Sequence, residues 1–284
     1  MEYRLGLYEK AMPAGMSWET MLSAAGEAGF DFLEISIDET DARLARLDWG
    51  REERAALVRA MEKTHLPIRT MCLSGHRKYP LGSRDPQRRQ RGMEILRGAV
   101  EFASDVGVRL IQLAGYDVYY EQGGEDTRAL FRENLEKSVE YAAKYGVILG
   151  FETMETPFMD TVSKGMRYVR ELDSAYLGMY PDLGNLTNAA YLYGLDVLEE
   201  IRAGKGRLFA MHLKETEEGK YRDMRFGEGR VDFVPGIRQA LDCGVRMFVA
   251  ECWHDGAEDW RGVLKGVQEF LRLRFERAQA EGHT

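Results

Sequence analysis

Cysteine is scarce in this chain of 284 residues: Cys72, Cys243 and Cys252 are odd in number and form no CxxC pair. That usage argues against structural disulfides and reads as reduced thiols in a cytoplasm. Long apolar runs are missing too. No stretch approaches the roughly 18 residues of a membrane span, and the N-terminal MEYRLGLYEK lacks the apolar core of a signal peptide. Positive charge is not in excess: 39 Lys and Arg face 47 Asp and Glu, a net charge of −8, which argues against a nucleic-acid partner. No Pro-, Ser- or Gly-rich linker, repeat or low-complexity stretch divides the chain. The expectation is a cytoplasmic globular protein without membrane or nucleic-acid partners, long enough to bury a core without disulfide or metal staples.

Short apolar runs alternate with amphipathic stretches from end to end. The runs are 5–8, 32–37, 69–74, 110–114, 147–154, 177–182, 209–214 and 248–253, each four to eight residues long and bounded by Gly, Asp or Pro, as buried parallel strands are. Helical spacing begins near Trp18 and near Arg51, then covers 86–106, 126–145, 163–172, 192–203, 233–243 and 259–280. Asp85 before Pro86 reads as an N-cap followed by proline at the first helical position. Strand order cannot be read from periodicity, so a doubly wound open sheet also fits. Eight near-equal units of about 35 residues, with no GxGxxG after the first run, favour an α/β fold of the (β/α)8 TIM barrel type. One domain over residues 1–284 is expected.

In a barrel the working residues sit at the C-terminal strand ends. Those ends read GFETMET with Glu152, MYPDLGN with Asp182, MHLKET with His212 and VAECWH with Glu251, spaced 30, 30 and 39 residues apart. Any one of them alone is more simply a helix cap, a salt-bridge partner or a core histidine. Together they put four ligand types on adjacent strands, and a carboxylate inside FVAEC costs several kcal/mol unless a counter-charge meets it. Three carboxylates and an imidazole suit one divalent ion, Mn²⁺ first, with Mg²⁺, Co²⁺ or Zn²⁺ possible.

Other features carry less. His76, Arg77 and Lys78 form a positive cluster after the third run, suited to an anionic group or to a solvated loop. Lys10 ends the first run within reach of the mouth. FGEGRVDF, residues 226–233, reads either as a backbone cradle for an anion or as a plain loop. Trp18, Tyr116 and Trp253 near strand ends read as pocket wall or simple packing, and the 14 Met residues as core filler.

The four strand-end residues, with HLKET and FGEGRVDF after them, resemble the xylose-isomerase-like barrels and their ketose 3-epimerases. LGLYEKAMPAG, DFLEISIDETDARLARLDW, MCLSGHRKYPLGS, IQLAGYDVYYE and YPDLGNL extend the likeness over nearly the whole chain, to the L-ribulose-5-phosphate (L-xylulose-5-phosphate) 3-epimerase family of pentose and ascorbate catabolism. The resemblance implies metal ligands at Glu152, Asp182, His212 and Glu251, with the two glutamates as the acid/base pair. It implies a small sugar phosphate as substrate; Lys10, His76, Arg77, Asn185 and Lys214 are the candidates for binding it. A homodimer is expected. The chain departs from the free-ketose 3-epimerases, which carry His, Arg and Glu where Asn185, Glu218 and Phe158 stand here. Those departures fit a phosphosugar better than a free ketose.

Chemistry explains why two carboxylates are wanted. The C3–H of a 2-ketose is acidic through enolisation, and inversion needs a proton taken from one face and returned on the other. Competing readings are an aldose–ketose isomerase or inosose dehydratase on the same site, an endonuclease IV-like phosphodiesterase, and a non-catalytic sugar-phosphate binder. The acidic charge and the five histidines of the chain disfavour the phosphodiesterase.

Overall fold

Each of the eight apolar runs forms a strand, and they alternate with helices as the periodicity predicts. The computed structural model describes residues 2–280, so Met1 and residues 281–284 of the expected 1–284 domain lie outside the described residues. The strands are β1 (Arg4–Tyr8), β2 (Phe32–Ile37), β3 (Ile68–Leu73), β4 (Leu110–Ala114), β5 (Ile148–Glu152), β6 (Leu177–Met179), β7 (Met211–Leu213) and β8 (Met247–Ala250). The helices are α1 (Trp18–Glu27), α2 (Asp41–Leu44), α3 (Arg51–Thr64), α4 (Pro86–Val106), α5 (Glu125–Lys144), α6 (Val162–Leu172), α7 (Leu183–Tyr193), α8 (Val197–Ala203), α9 (Phe233–Asp242) and α10 (Trp260–Ala280).

Strand order is β6-β5-β4-β3-β2-β1-β8-β7, and the ladders between these strands are parallel. Sequence neighbours are neighbours in space and β1 lies against β8, the cyclic order of a barrel; a doubly wound sheet would reverse its order part-way. Between β6 and β7 the barrel closes through single bridges, Met179 to Leu208 and Asp182 to His212. The His212 N–H donates to the Pro181 carbonyl at 2.9 Å across this seam.

Strand alternation divides the buried residues into two sets. One packs against the helices as the main core, and the other faces the barrel axis, where Tyr8, Phe32, Cys72, Leu110, Tyr180, Ala210 and Val249 form an inner cluster. Glycines give the large inner rings their room: a Cβ on Gly6 would lie 2.3 Å from the Phe32 ring, and one on Gly150 would lie 2.9 Å from the Tyr180 Cβ. The same inward parity carries Glu34, Thr70, Glu152 and His212 into the interior.

Two helix boundaries differ from the sequence reading. The helix expected over 192–203 is two helices: α7 starts at Leu183, capped by Asp182, and ends at Gly194 with φ 65°, and α8 restarts after Asp196. The Asp182 cap was hidden because its residue also closes an apolar run. The short α2 was not anticipated; its Thr40 side chain accepts from the Arg43 N–H. Asp85 caps α4 through the Gln87 and Arg88 N–H groups with Pro86 at the first position, as expected. No helix among the described residues is long and apolar enough to cross a membrane.

Candidate metal centre

The strand ends bring Glu152, Asp182, His212 and Glu251 together, one ligand atom from each lying within 4.8 Å of every other. All four are buried. His212 Nδ1 is 3.5 Å from Glu152 Oε1 and 3.4 Å from Glu251 Oε2. Donors bound at about 2.1 Å to one ion sit roughly 3–4 Å apart, so these spacings need little adjustment. Asp182 is both a cap and a ligand candidate: Oδ1 accepts the Asn185 N–H at 2.6 Å, while Oδ2 is buried without a partner. His212 Nδ1 and Glu251 Oε2 likewise lack a hydrogen-bond partner. Three buried ligand atoms without a hydrogen bond converge here, and Lys214, beside Glu251 Oε2, leaves Asp182 Oδ2 and His212 Nδ1 uncompensated, an arrangement that fits a cation.

The charge balance shows the same strain. Burial, reinforced by Glu251, raises the Glu152 pKa. Burial also drives Asp182 up to about 7 against the pull of Lys214. Glu251 is held below the carboxylate range, since Lys214 and His212 outweigh its burial. Burial opposes charge on His212, yet Glu34 and then Glu251 push its pKa well up. Lys214 Nζ lies 3.1 Å from Glu251 Oε2 and 3.4 Å from Asp182 Oδ1, the nearest cation to the cluster.

A narrow cavity opens above the ligands. Its walls include Tyr8, Lys10, Arg77, Asn185, Lys214, Arg222 and Trp253 together with Glu152 and Glu251. Four of the five expected substrate contacts, Lys10, Arg77, Asn185 and Lys214, therefore border it. His76 does not: it is buried with Nε2 3.1 Å from the Gly92 carbonyl, and burial lowers its pKa to about 4. Its ring is turned into the α4 packing, with Nε2 taken up by Gly92, and so stands away from the cavity. Asn185 anchors to the Thr153 carbonyl through Nδ2, leaving a buried Oδ1 without a donor. Lys10 pairs with Asp38 at 2.5 Å, and Arg77 lies near Glu155 at 3.9 Å. A larger, mostly apolar pocket of about 570 Å³ shares Trp253 with the cavity but not the ligands.

Residues 22–274 match the family of xylose isomerase-like TIM barrels. The chain is 44% identical over 277 residues to the L-ribulose-5-phosphate 3-epimerase UlaE of Salmonella paratyphi A, covering 96% of this chain and 95% of that protein. It belongs to the L-ribulose-5-phosphate 3-epimerase family, a family of isomerases. Solved structures share the fold at lower identity. An L-ribulose 3-epimerase superposes with a TM-score of 0.79 at 19% identity, covering 100% of this chain and 97% of its own. A D-psicose 3-epimerase from Clostridium cellulolyticum H10, with D-tagatose, gives 0.79 at 16% identity, covering 95% and 98%.

Within this family member, three residues near the site escaped the sequence reading. Glu34 is wholly buried in β2 and touches His212. Its signal was available, a lone carboxylate in the apolar run FLEISI, the same anomaly that drew attention to Glu251 in FVAEC. Arg222 lies over the Trp253 ring at 5.7 Å, and no sequence feature separates it from other loop arginines. Glu215 resolves the FGEGRVDF question. Its carboxylate accepts the Gly227 and Val231 N–H groups at 2.8 and 3.1 Å, so the anion in that cradle is the chain's own.

Proposed function

We propose that the protein interconverts L-xylulose 5-phosphate and L-ribulose 5-phosphate by metal-dependent epimerisation at C3. The observation that carries this reading is the set of four buried ligands, three with orphaned donors, beneath a cavity bordered by Lys10, Arg77 and Arg222. Likeness over nearly the full length to an L-ribulose-5-phosphate 3-epimerase supports it. Glu152, Asp182, His212 and Glu251 would hold the ion, and three carboxylates with one imidazole suit Mn²⁺ first, with Mg²⁺, Co²⁺ or Zn²⁺ admissible. A bound ion of this kind supplies Lewis-acid stabilisation of the negative charge that forms when the C3 proton leaves.

The chain's own residues move the proton. Glu152 and Glu251 reach the cavity from β5 and from the end of β8, three strands apart around the barrel. One takes the C3 proton from one face of the sugar, and the other returns a proton to the opposite face. A single base would restore the original configuration. Lys214, 3.1 Å from Glu251, steadies that carboxylate as an anion. Asn185 Oδ1, unpartnered at the cavity wall, accepts a sugar hydroxyl. For the phosphate, Lys10 and Arg77 are already drawn toward Asp38 and Glu155, whereas Arg222 is braced only by Trp253 among the described contacts. Arg222 is therefore the principal phosphate contact. A histidine-rich phosphodiesterase centre has no counterpart: among the described residues His212 is the one histidine in the cluster.

Proton NMR of L-xylulose 5-phosphate in D₂O with Mn²⁺-loaded protein, followed after quenching and chelation, tests the reading. The expected result is loss of the C3 proton signal together with appearance of L-ribulose 5-phosphate. Exchange at C1 instead would make it an aldose–ketose isomerase, and no exchange with metal bound would overturn the substrate.

A further inference from the structure

We infer that Glu34 is a positioning residue for the metal centre: it claims the Nε2 proton of His212 and so directs Nδ1 toward Glu152, Asp182 and Glu251. This rests on the metal reading above and goes beyond its four ligands. Glu34 Oε1 lies 2.6 Å from His212 Nε2. Its other oxygen, Oε2, accepts hydroxyls from Thr70 at 2.7 Å and Tyr180 at 2.8 Å. With Oε2 occupied by two O–H donors, Oε1 is left for the imidazole, and an acceptor there requires Nε2 to be the donor. Nδ1 has no hydrogen-bond partner and faces two carboxylates. Ligation needs a nitrogen free of its proton. Of the two ring nitrogens, one is held by an acceptor and the other is not, so the tautomer and the ring orientation are both decided by Glu34.

The strand geometry is built around this contact. Pairing between β2 and β3 shifts from Leu33–Ile68 to Glu34–Thr70, skipping Arg69, so the irregularity sets the Thr70 hydroxyl beside Glu34. The Tyr180 ring reaches across from the β6 side, packed 4.9 Å from the His212 ring, and its hydroxyl completes the network. A barrel interior layer is ordinarily filled by branched apolar residues. A fully buried carboxylate there costs several kcal/mol unless every lone pair is engaged. Packing alone does not call for it, whereas orienting a metal-binding imidazole does.

The test is Mn²⁺ binding by calorimetry to metal-stripped wild type and Glu34→Gln, alongside metal-free thermal melting. The amide keeps the volume but cannot accept from all three donors, and a 10- to 100-fold weaker Mn²⁺ affinity is expected. A purely structural role would lower metal-free melting while leaving the affinity of the folded protein near wild type, and that result overturns the inference. Should Glu34→Gln not fold, the wild type decides: in Zn²⁺-loaded protein with ¹⁵N-labelled histidine, the His212 proton must reside on Nε2. A proton on Nδ1 overturns the inference. Wild type that binds no Mn²⁺ would instead overturn the metal centre, and the positioning role with it.

Discussion

Replacing Glu215 by Gln removes a latch without changing its volume. Glu215 is buried just beyond β7, where Oε1 accepts the Thr216 and Val231 N–H groups at 3.1 Å each and Oε2 accepts Gly227 N–H at 2.8 Å. The loop packs directly on it: a Cβ at Gly229 would lie 2.5 Å from Glu215 Oε1. In the amide one oxygen becomes an NH₂ group, which turns a hydrogen toward at least one backbone N–H. The loss of a charge-assisted bond together with an unsatisfied buried donor costs about 3 kcal/mol. For a domain of this size that is roughly 5 °C in melting temperature. Tyr221 and Arg222, both cavity-lining, lie between the latched positions, so KM for the phosphorylated ketose rises as well. Metal-free melting and steady-state kinetics on the variant read both effects. Melting within about 2 °C of wild type and an unchanged KM would refute the latch.

Glu152→Gln and Glu251→Gln should each slow solvent exchange of the C3 proton by about 10²–10⁴; near-normal exchange in both would end the two-base scheme. Arg222→Ala should raise KM for the pentulose phosphate by about 10- to 100-fold, the worth of a charge-assisted contact, and barely change turnover of unphosphorylated L-ribulose. An equal loss on both substrates would remove Arg222 from the phosphate. His76 supplies a pH signature. Burial lowers its folded pKa from 6.5 to about 4, so the unfolded chain binds the proton more readily. The stability it contributes is present above pH 6.5 and is lost as pH falls toward 4, about 3 kcal/mol in all. His76→Gln should flatten that part of the melting-against-pH curve, and an unchanged slope would refute the assignment.

The barrel was legible because its signals are local: each strand is a short apolar run, and each candidate ligand sits where a run meets a polar residue. The family likeness then implied roles for the two glutamates. What sequence did not reveal depends on contacts between distant segments. His76 looked cationic beside Arg77 and Lys78, but α4 packing encloses it against Gly92. FGEGRVDF looked like an anion cradle and is one, but its anion is Glu215, found only once β7 and the loop are in contact. Glu34 and His212 are 178 residues apart, and no spacing rule pairs them. The helix start after Asp182 was misjudged because that residue closes an apolar run as well as capping the helix.

The capping role of Asp182 bears on why the barrel is thinnest at this seam. β6 and β7 are three residues each, and their seam is held by single bridges rather than a ladder. One bridge is Asp182 to His212, so two candidate ligands from opposite sides of the seam are fixed by backbone contact. Extending the ladder to residue 182 would keep that residue in strand pairing and delay the turn into α7. Ending it at Met179 lets Asp182 take N-cap geometry, φ −98° and ψ 124°, with Oδ1 on the Asn185 N–H and Oδ2 free. The cap in turn locks the Asp182 side chain, so the lost strand hydrogen bonds are exchanged for a carboxylate preset toward the cluster. Below it, Glu34 does for His212 what the cap does for Asp182. Each candidate ligand on this seam is oriented by a bond made through its other polar atom, and the atom that faces the cluster has no hydrogen-bond partner.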